Sequence, residues 1–155
     1  MDTIIAIDMG GTKTAVATFG SDGTLLARST EPTVPGRSEG TITRLAERAR
    51  LLDGFGNARA VGMAMPAIVD EDGRVAWAAA SVAEWQGVDV AGALERALAL
   101  PAVAIFDGYA ATEGEAAFGV GRGVDSLATL IVGTGFGAMA RRKAPRRSST
   151  SIPSS

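Results

Sequence analysis

The sequence contains no cysteine, which excludes a disulfide scaffold, and it has neither a charged-then-apolar leader nor an apolar run long enough to span a bilayer. No heptads, low-complexity blocks or short-period repeats occur before Arg141. A soluble protein, expected in the cytoplasm, remains. Its 155 residues, 46% of them hydrophobic, suffice for one globular domain.

Charge is unevenly distributed. Arg141, Arg142, Lys143, Arg146 and Arg147 lie in the last fifteen residues without an acidic neighbour, so a net −2 for the chain leaves −7 on everything before them. An acidic body without a basic patch argues against nucleic acid as the main partner.

The chain opens with three strand signals: the apolar run Ile4–Ile7, then "TAVATF" and "TLLARST" on either side of the turn "GSDG". Ile42, Leu45, Ala46, Ala49 and Leu52 recur at helical spacing and stop at "DGFG". "AVGMAM", ending at Pro66, reads as a buried strand, and "DEDGR" turns into "VAWAA". Asp89 can cap a helix with the apolar face Val90, Leu94, Ala97 and Leu98, which Pro101 prevents from continuing. "AVAIFD" is another buried strand, a helix over about Tyr109–Phe118 ends in "GVGRG", and "SLATLIV" is a last strand. Strands that first hairpin together and then alternate with helices predict an α/β fold with a mixed sheet.

Two segments echo each other at opposite ends: "IIAIDMGGTKTAVATF" and "TLIVGTGFGAMA" are each an apolar strand, a Gly/Thr turn and a return toward apolar residues. Glycines in such turns allow positive φ and let backbone N–H groups approach an anion, while Thr12 and Lys13 add donors. The plain alternative is a tight hairpin turn. "GTGFG" is neither GxxxxGK[ST] nor GxGxxG, so a dinucleotide-type loop is not expected, and "GVGRG" reads as a helix C-terminus and connector. Asp107 falls at the C-terminal end of a strand and the start of a helix, where open-sheet enzymes place reacting groups and where a helix cap would also sit.

From Thr3 to about Ala138, these segments in this order resemble the ROK family of sugar kinases and repressors. "AIDMGGTKTAVA" and "LIVGTGFGA" resemble its two phosphate segments, "VGMAMPAIVDEDGRV" its sugar-loop stretch, and "IFDGYAATEGEAAFGVGRG" the stretch that carries its catalytic Asp. The resemblance implies a ribonuclease H-like (actin-like ATPase) lobe of order βββαβαβ plus the start of a second lobe. Residues 1–106 would form the first lobe, 107–140 the start of the second, and 141–155 a disordered basic tail.

It further implies ATP-dependent phosphorylation of a sugar hydroxyl. Asp107 would be the general base, Asp8 would hold Mg²⁺ through water, and Gly10, Gly11, Thr12 and Lys13 would face the nucleotide phosphates together with Gly133, Thr134, Gly135 and Gly137. Pro66, Phe106, Asp107 and Glu115 would line the sugar site. A carboxylate at a helix N-terminus is expected to favour its ionised form. Phe106 stands where the family usually has a sugar-binding Asn, and Ser81 and Val82 where it has Asn-Leu, so the pocket departs from the usual glucose pocket.

Family members are about twice this length, so the resemblance covers their N-terminal half. Met139 and the basic tail are expected to replace a strand, as an out-of-frame remnant of a GC-rich gene would, and the product is expected to be inactive. A repressor fragment and a non-catalytic sugar- or phosphate-binding module are the rival readings, and homo-oligomers are compatible with any of them.

Overall fold

The computed structural model describes residues 1–34, 36–132 and 136–142. In chain order the elements are β1 (Thr3–Met9), β2 (Lys13–Gly20), β3 (Leu25–Pro32), α1 (Ser38–Arg50), β4 (Ala58–Met65), β5 (Ala67–Val69), β6 (Val75–Ala78), α2 (Val90–Leu98), β7 (Ala102–Phe106), α3 (Asp107–Ala117), β8 (Ser126–Val132) and β9 (Phe136–Arg142). Two compact units divide between Ala111 and Thr112, inside α3.

The first unit is built on a five-stranded mixed sheet of order β3-β2-β1-β4-β7. β1, β2 and β3 form the expected antiparallel meander, and β4 and β7 add in parallel beside β1. Period-two alternation fixes the faces. In β1, Ile5, Ile7 and Met9 are buried while Ile4 and Asp8 are exposed.

The buried face meets Ile42, Leu45, Ala46 and Ala49 of α1 and Val90, Leu94 and Leu98 of α2, one row every three or four residues, forming a single apolar core with Val61, Met63 and Met65. Asp89 starts α2 as expected, accepting a hydrogen bond from Gly92 N at 2.8 Å. Trp85 is buried beneath the connector that precedes α2, its indole N–H donating to Gly36 O at 3.1 Å. Glu31 of β3 receives both Arg44 Nε at 3.1 Å and Arg48 Nη2 at 2.7 Å, fastening α1 to the edge strand.

Three details differ from the sequence reading. β5 pairs with β6 as a separate two-stranded ribbon, and at three residues it is too short to show a period. α3 starts at Asp107, two residues earlier than its apolar pattern indicates.

The third lies in the second unit, where β8 pairs with β9 from Val132↔Phe136 to Ser126↔Arg142. A strand therefore stands where Met139 and the tail were expected to replace one, and it runs through Arg141 and Arg142. Arg141 can join it because its guanidinium finds Glu113 at 2.8 Å. Residues 143–155 lie outside the described residues, and with them the rest of the expected tail. Among the described residues, no helix is long and apolar enough to cross a membrane.

Candidate active site

A cleft of about 480 Å³ opens on the sheet face opposite α1 and α2. Asp8 enters it from the C-terminal end of β1, and Asp107 from the junction of β7 and α3. Register explains how they meet: Asp8 pairs with Ala64 of β4, and Ala64 with Ile105 of β7, two residues before Asp107. Only a methyl group at Ala64 stands on the strand between them.

Asp107 is half-buried, and its Oδ1 accepts from the adjacent Gly108 N at 2.7 Å rather than from a residue one turn on, as a helix cap would. Burial pushes its carboxyl above the ordinary aspartate range, the Gly108 N–H bond opposes that rise, and the negative charge of Asp8 adds to it. This reverses the expectation that the helix start favours the ionised form, because desolvation and a like charge outweigh it. Asp8 is exposed and makes no ion pair among the described residues.

Gly10–Lys13 form the tip of the β1–β2 hairpin, closed by Gly10 N donating to Lys13 O at 2.9 Å. Neither glycine has positive φ, contrary to the sequence expectation; close approach is what requires glycine at position 10. A Cβ on Gly10 would lie 3.1 Å from Lys13 O. The N–H groups of Gly11 and Thr12 donate to no described residue. Thr33 braces the turn: its hydroxyl donates to Gly10 O at 2.7 Å, and its N–H to Thr12 O at 2.9 Å.

Of the sugar-side candidates, Phe106 ends β7 opposite Met65, and Pro66 lies between β4 and β5, its carbonyl accepting from Ala79 N at 3.0 Å. Glu115 belongs to the second unit, where Oε2 accepts from Val120 N at 3.0 Å and closes the "GVGRG" connector. Gly137 pairs with Ile131 in the β8–β9 hairpin, while Gly133, Thr134 and Gly135 lie outside the described residues.

Sequence reasoning missed Thr33 and Arg28, and it read Ser81 only as a departure at the sugar pocket. Thr33 reaches the turn from the end of β3, and Ser81 Oγ lies 3.8 Å from where a Gly11 Cβ would be. Arg28 borders the cleft from β3. Strand register, which the sequence does not print, brings Arg28 there, and the pairing of β2 with β3 carries the chain on to Thr33. Among the described residues, no cluster of three or more His, Cys, Asp or Glu could hold a metal by itself.

Known proteins resemble this chain in sequence and fold. The ROK family model matches residues 4–140. The glucokinase of Thermotoga maritima is 30% identical over 135 residues, spanning 86% of this chain and 43% of that protein. The solved ROK family glucokinase of Streptomyces griseus, in complex with glucose and AMPPNP, superposes with a TM-score of 0.78 at 28% identity, over 92% of this chain and 47% of the other. A ROK family transcriptional regulator, a homolog of the E. coli MLC protein, shares the fold at 16% identity, with a TM-score of 0.72 over 89% of this chain and 36% of its own. The chain thus spans about half the length of the relatives it matches, and it belongs to the ROK family, with the α/β architecture of the actin-like ATPase fold.

Proposed function

We propose that this chain supplies one side of an ATP-dependent sugar kinase site, in which Asp107 is the general base toward the sugar hydroxyl. The observation that supports this most is the pairing of Asp8 and Asp107 in one cleft, beside a hairpin tip with two backbone N–H groups that have no partner among the described residues. A carboxylate of raised pKa removes a hydroxyl proton more readily than an ordinary one, and Asp107 has that character while half-open to the cleft.

Asp8, an exposed oxygen donor without a cation partner among the described residues, fits Mg²⁺, which typically binds through one or two carboxylates, water and phosphates. The Gly11 and Thr12 N–H groups and the Lys13 ammonium would hold phosphate oxygens, and Gly10 keeps the turn tight enough to present them. ATP would supply the phosphoryl group and Mg²⁺ the charge neutralisation that this chemistry needs. Pro66 and Phe106 are the sugar-side residues of the first unit in this reading. The aromatic Phe106 offers a stacking surface in place of a hydrogen-bonding amide.

Because the chain spans under half of the Thermotoga maritima glucokinase, we expect turnover to need polypeptide equivalent to the rest. A binding role without turnover is the second reading, favoured by the same coverage. The test is a chimera in which residues 4–140 replace the matched segment of that glucokinase, followed by ADP release over a hexose panel. Turnover that falls at least about a thousandfold in Asp107→Asn supports the base assignment. Turnover within about tenfold of the parent in that variant overturns it. The chain alone is expected to show none.

A further inference from the structure

The cleft face continues past the end of the sheet. Met65 of β4 pairs with Phe106 of β7, so Pro66 and Asp107 leave the sheet side by side. Asp107 starts α3, whereas the chain beyond Pro66 runs on as β5. Alternation survives the step. Val61, Met63, Met65 and then Ala67 are buried in the core, which leaves Gly62, Ala64 and then Ile68 on the face where Asp8 and Asp107 open. Across the ribbon Ile68 pairs with Trp77, and the two side chains of an antiparallel pair share a face.

The result is an apolar shelf at the mouth of the cleft, with Ile68 50% and Trp77 53% exposed. The ribbon beneath it is pinned from behind. Pro66 O accepts from Ala79 N at 3.0 Å, Val75 N donates to Val88 O at 3.0 Å, and Gln86 Nε2 donates to Ala76 O at 2.6 Å. The Trp77 indole N–H donates to no described residue. An exposed indole on a fixed ribbon offers a flat apolar face and one donor, which matches the C–H face and hydroxyl rim of a sugar ring. Ile68 lies four residues beyond Ala64, the residue between the two carboxylates, or roughly 13 Å along an extended strand. That is longer than one hexose ring.

We propose that the shelf receives the second ring of a two-ring acceptor, a disaccharide or an aryl glycoside, stacked on Trp77 with its edge against Ile68. The first ring then presents its hydroxyl to Asp107. This inference rests on the sugar-kinase reading and names the acceptor class within it.

The two tryptophans supply the readout, because Trp85 is only 1% exposed. Each gives one indole N–H signal in the ¹⁵N-labelled chain, assigned with Trp77→Phe. The probes are cellobiose, maltose, phenyl β-glucopyranoside and glucose, each titrated to tens of millimolar; the first two and the third distinguish a sugar from an aryl second ring. At least one two-ring probe is expected to shift the Trp77 signal saturably, together with the Gly108 amide beside Asp107, while the Trp85 signal stays still. Glucose is expected to leave Trp77 unmoved. Trp77→Ala is expected to weaken the two-ring probe at least about tenfold, and Trp77→Phe, which keeps an aromatic face, no more than about threefold. Asp107→Asn is expected to keep the Trp77 shift, which separates this result from the loss of turnover that tests the base. A Gly108 shift without a Trp77 shift, or equal affinity in Trp77→Ala, overturns the shelf and leaves the sugar reading standing. Silence at both signals overturns the shelf and the sugar reading of this chain together. A Trp77 signal that moves with protein concentration in the absence of sugar overturns the proposal by assigning the ribbon to a second copy.

Discussion

Thr33→Val tests how the candidate phosphate turn is held. The Thr33 hydroxyl has one proton, which it gives to Gly10 O at 2.7 Å. The 2.8 Å contact between Thr33 and Thr14 must then be a donation from Thr14, making a relay from Thr14 through Thr33 to the turn. Thr14 is only 2% exposed, so removing its acceptor leaves a buried hydroxyl without a partner.

That penalty is about 1–3 kcal/mol, equivalent to a Tm loss of roughly 3–10 °C. Thr14→Val removes the buried donor itself while leaving Thr33 bonded to Gly10, and is expected to cost about 0.5–1.5 kcal/mol. The double variant should cost less than the sum by about 1 kcal/mol, since the orphaned hydroxyl is then absent. Urea unfolding followed by tryptophan fluorescence isolates the first unit, because both tryptophans, Trp77 and Trp85, lie in it. Additive single and double costs would refute the relay.

Other outcomes follow from the same geometry. The folded chain holds the Asp107 proton more tightly than the unfolded chain does, so this group favours folding fully below the ordinary aspartate value of about 3.9 and less as pH rises through its elevated folded value. Asp107→Asn should therefore raise Tm at pH 7 and leave it nearly unchanged at pH 3; an equal effect at both would contradict the cause given for the shift. Leu94→Ala empties a fully buried site beneath the sheet and should cost about 2–5 kcal/mol in urea unfolding. Asp89→Ala removes the Gly92 N–H acceptor and should cost about 1 kcal/mol by the same measurement, mostly by fraying the start of α2.

Much of the first unit was legible because its signals are local. The apolar run Ile4–Ile7, the α1 and α2 apolar faces, and the Asp89 cap each lie within one element, and each appears where the pattern put it. Asp8 and Asp107 could be singled out because strand ends at helix starts and glycine turns leave marks in the sequence. Their shared cleft could not, because it depends on β4 lying between β1 and β7. The brace at Thr33 was hidden for the same reason, being 23 residues from Gly10 along the chain. The pKa direction at Asp107 was misjudged because a helix N-terminus is visible in sequence, whereas burial and the approach of Asp8 are not. Charge also misled at β9. Arg141 and Arg142 look like the start of a solvated tail, but in a strand alternate side chains can point to solvent or to a partner such as Glu113.

The most direct test of the phosphate-facing site is amide NMR of the ¹⁵N-labelled chain titrated with Mg²⁺ and ATP. We expect saturable shifts at Gly11 and Thr12, whose N–H groups have no partner among the described residues, requiring Mg²⁺ and weakened in Asp8→Asn. Gly54 and Gly73, glycines in turns away from the cleft, should not move. If Gly11 and Thr12 stay still at millimolar nucleotide, or shift equally without Mg²⁺ and in Asp8→Asn, the hairpin is a structural turn and the proposed site is contradicted.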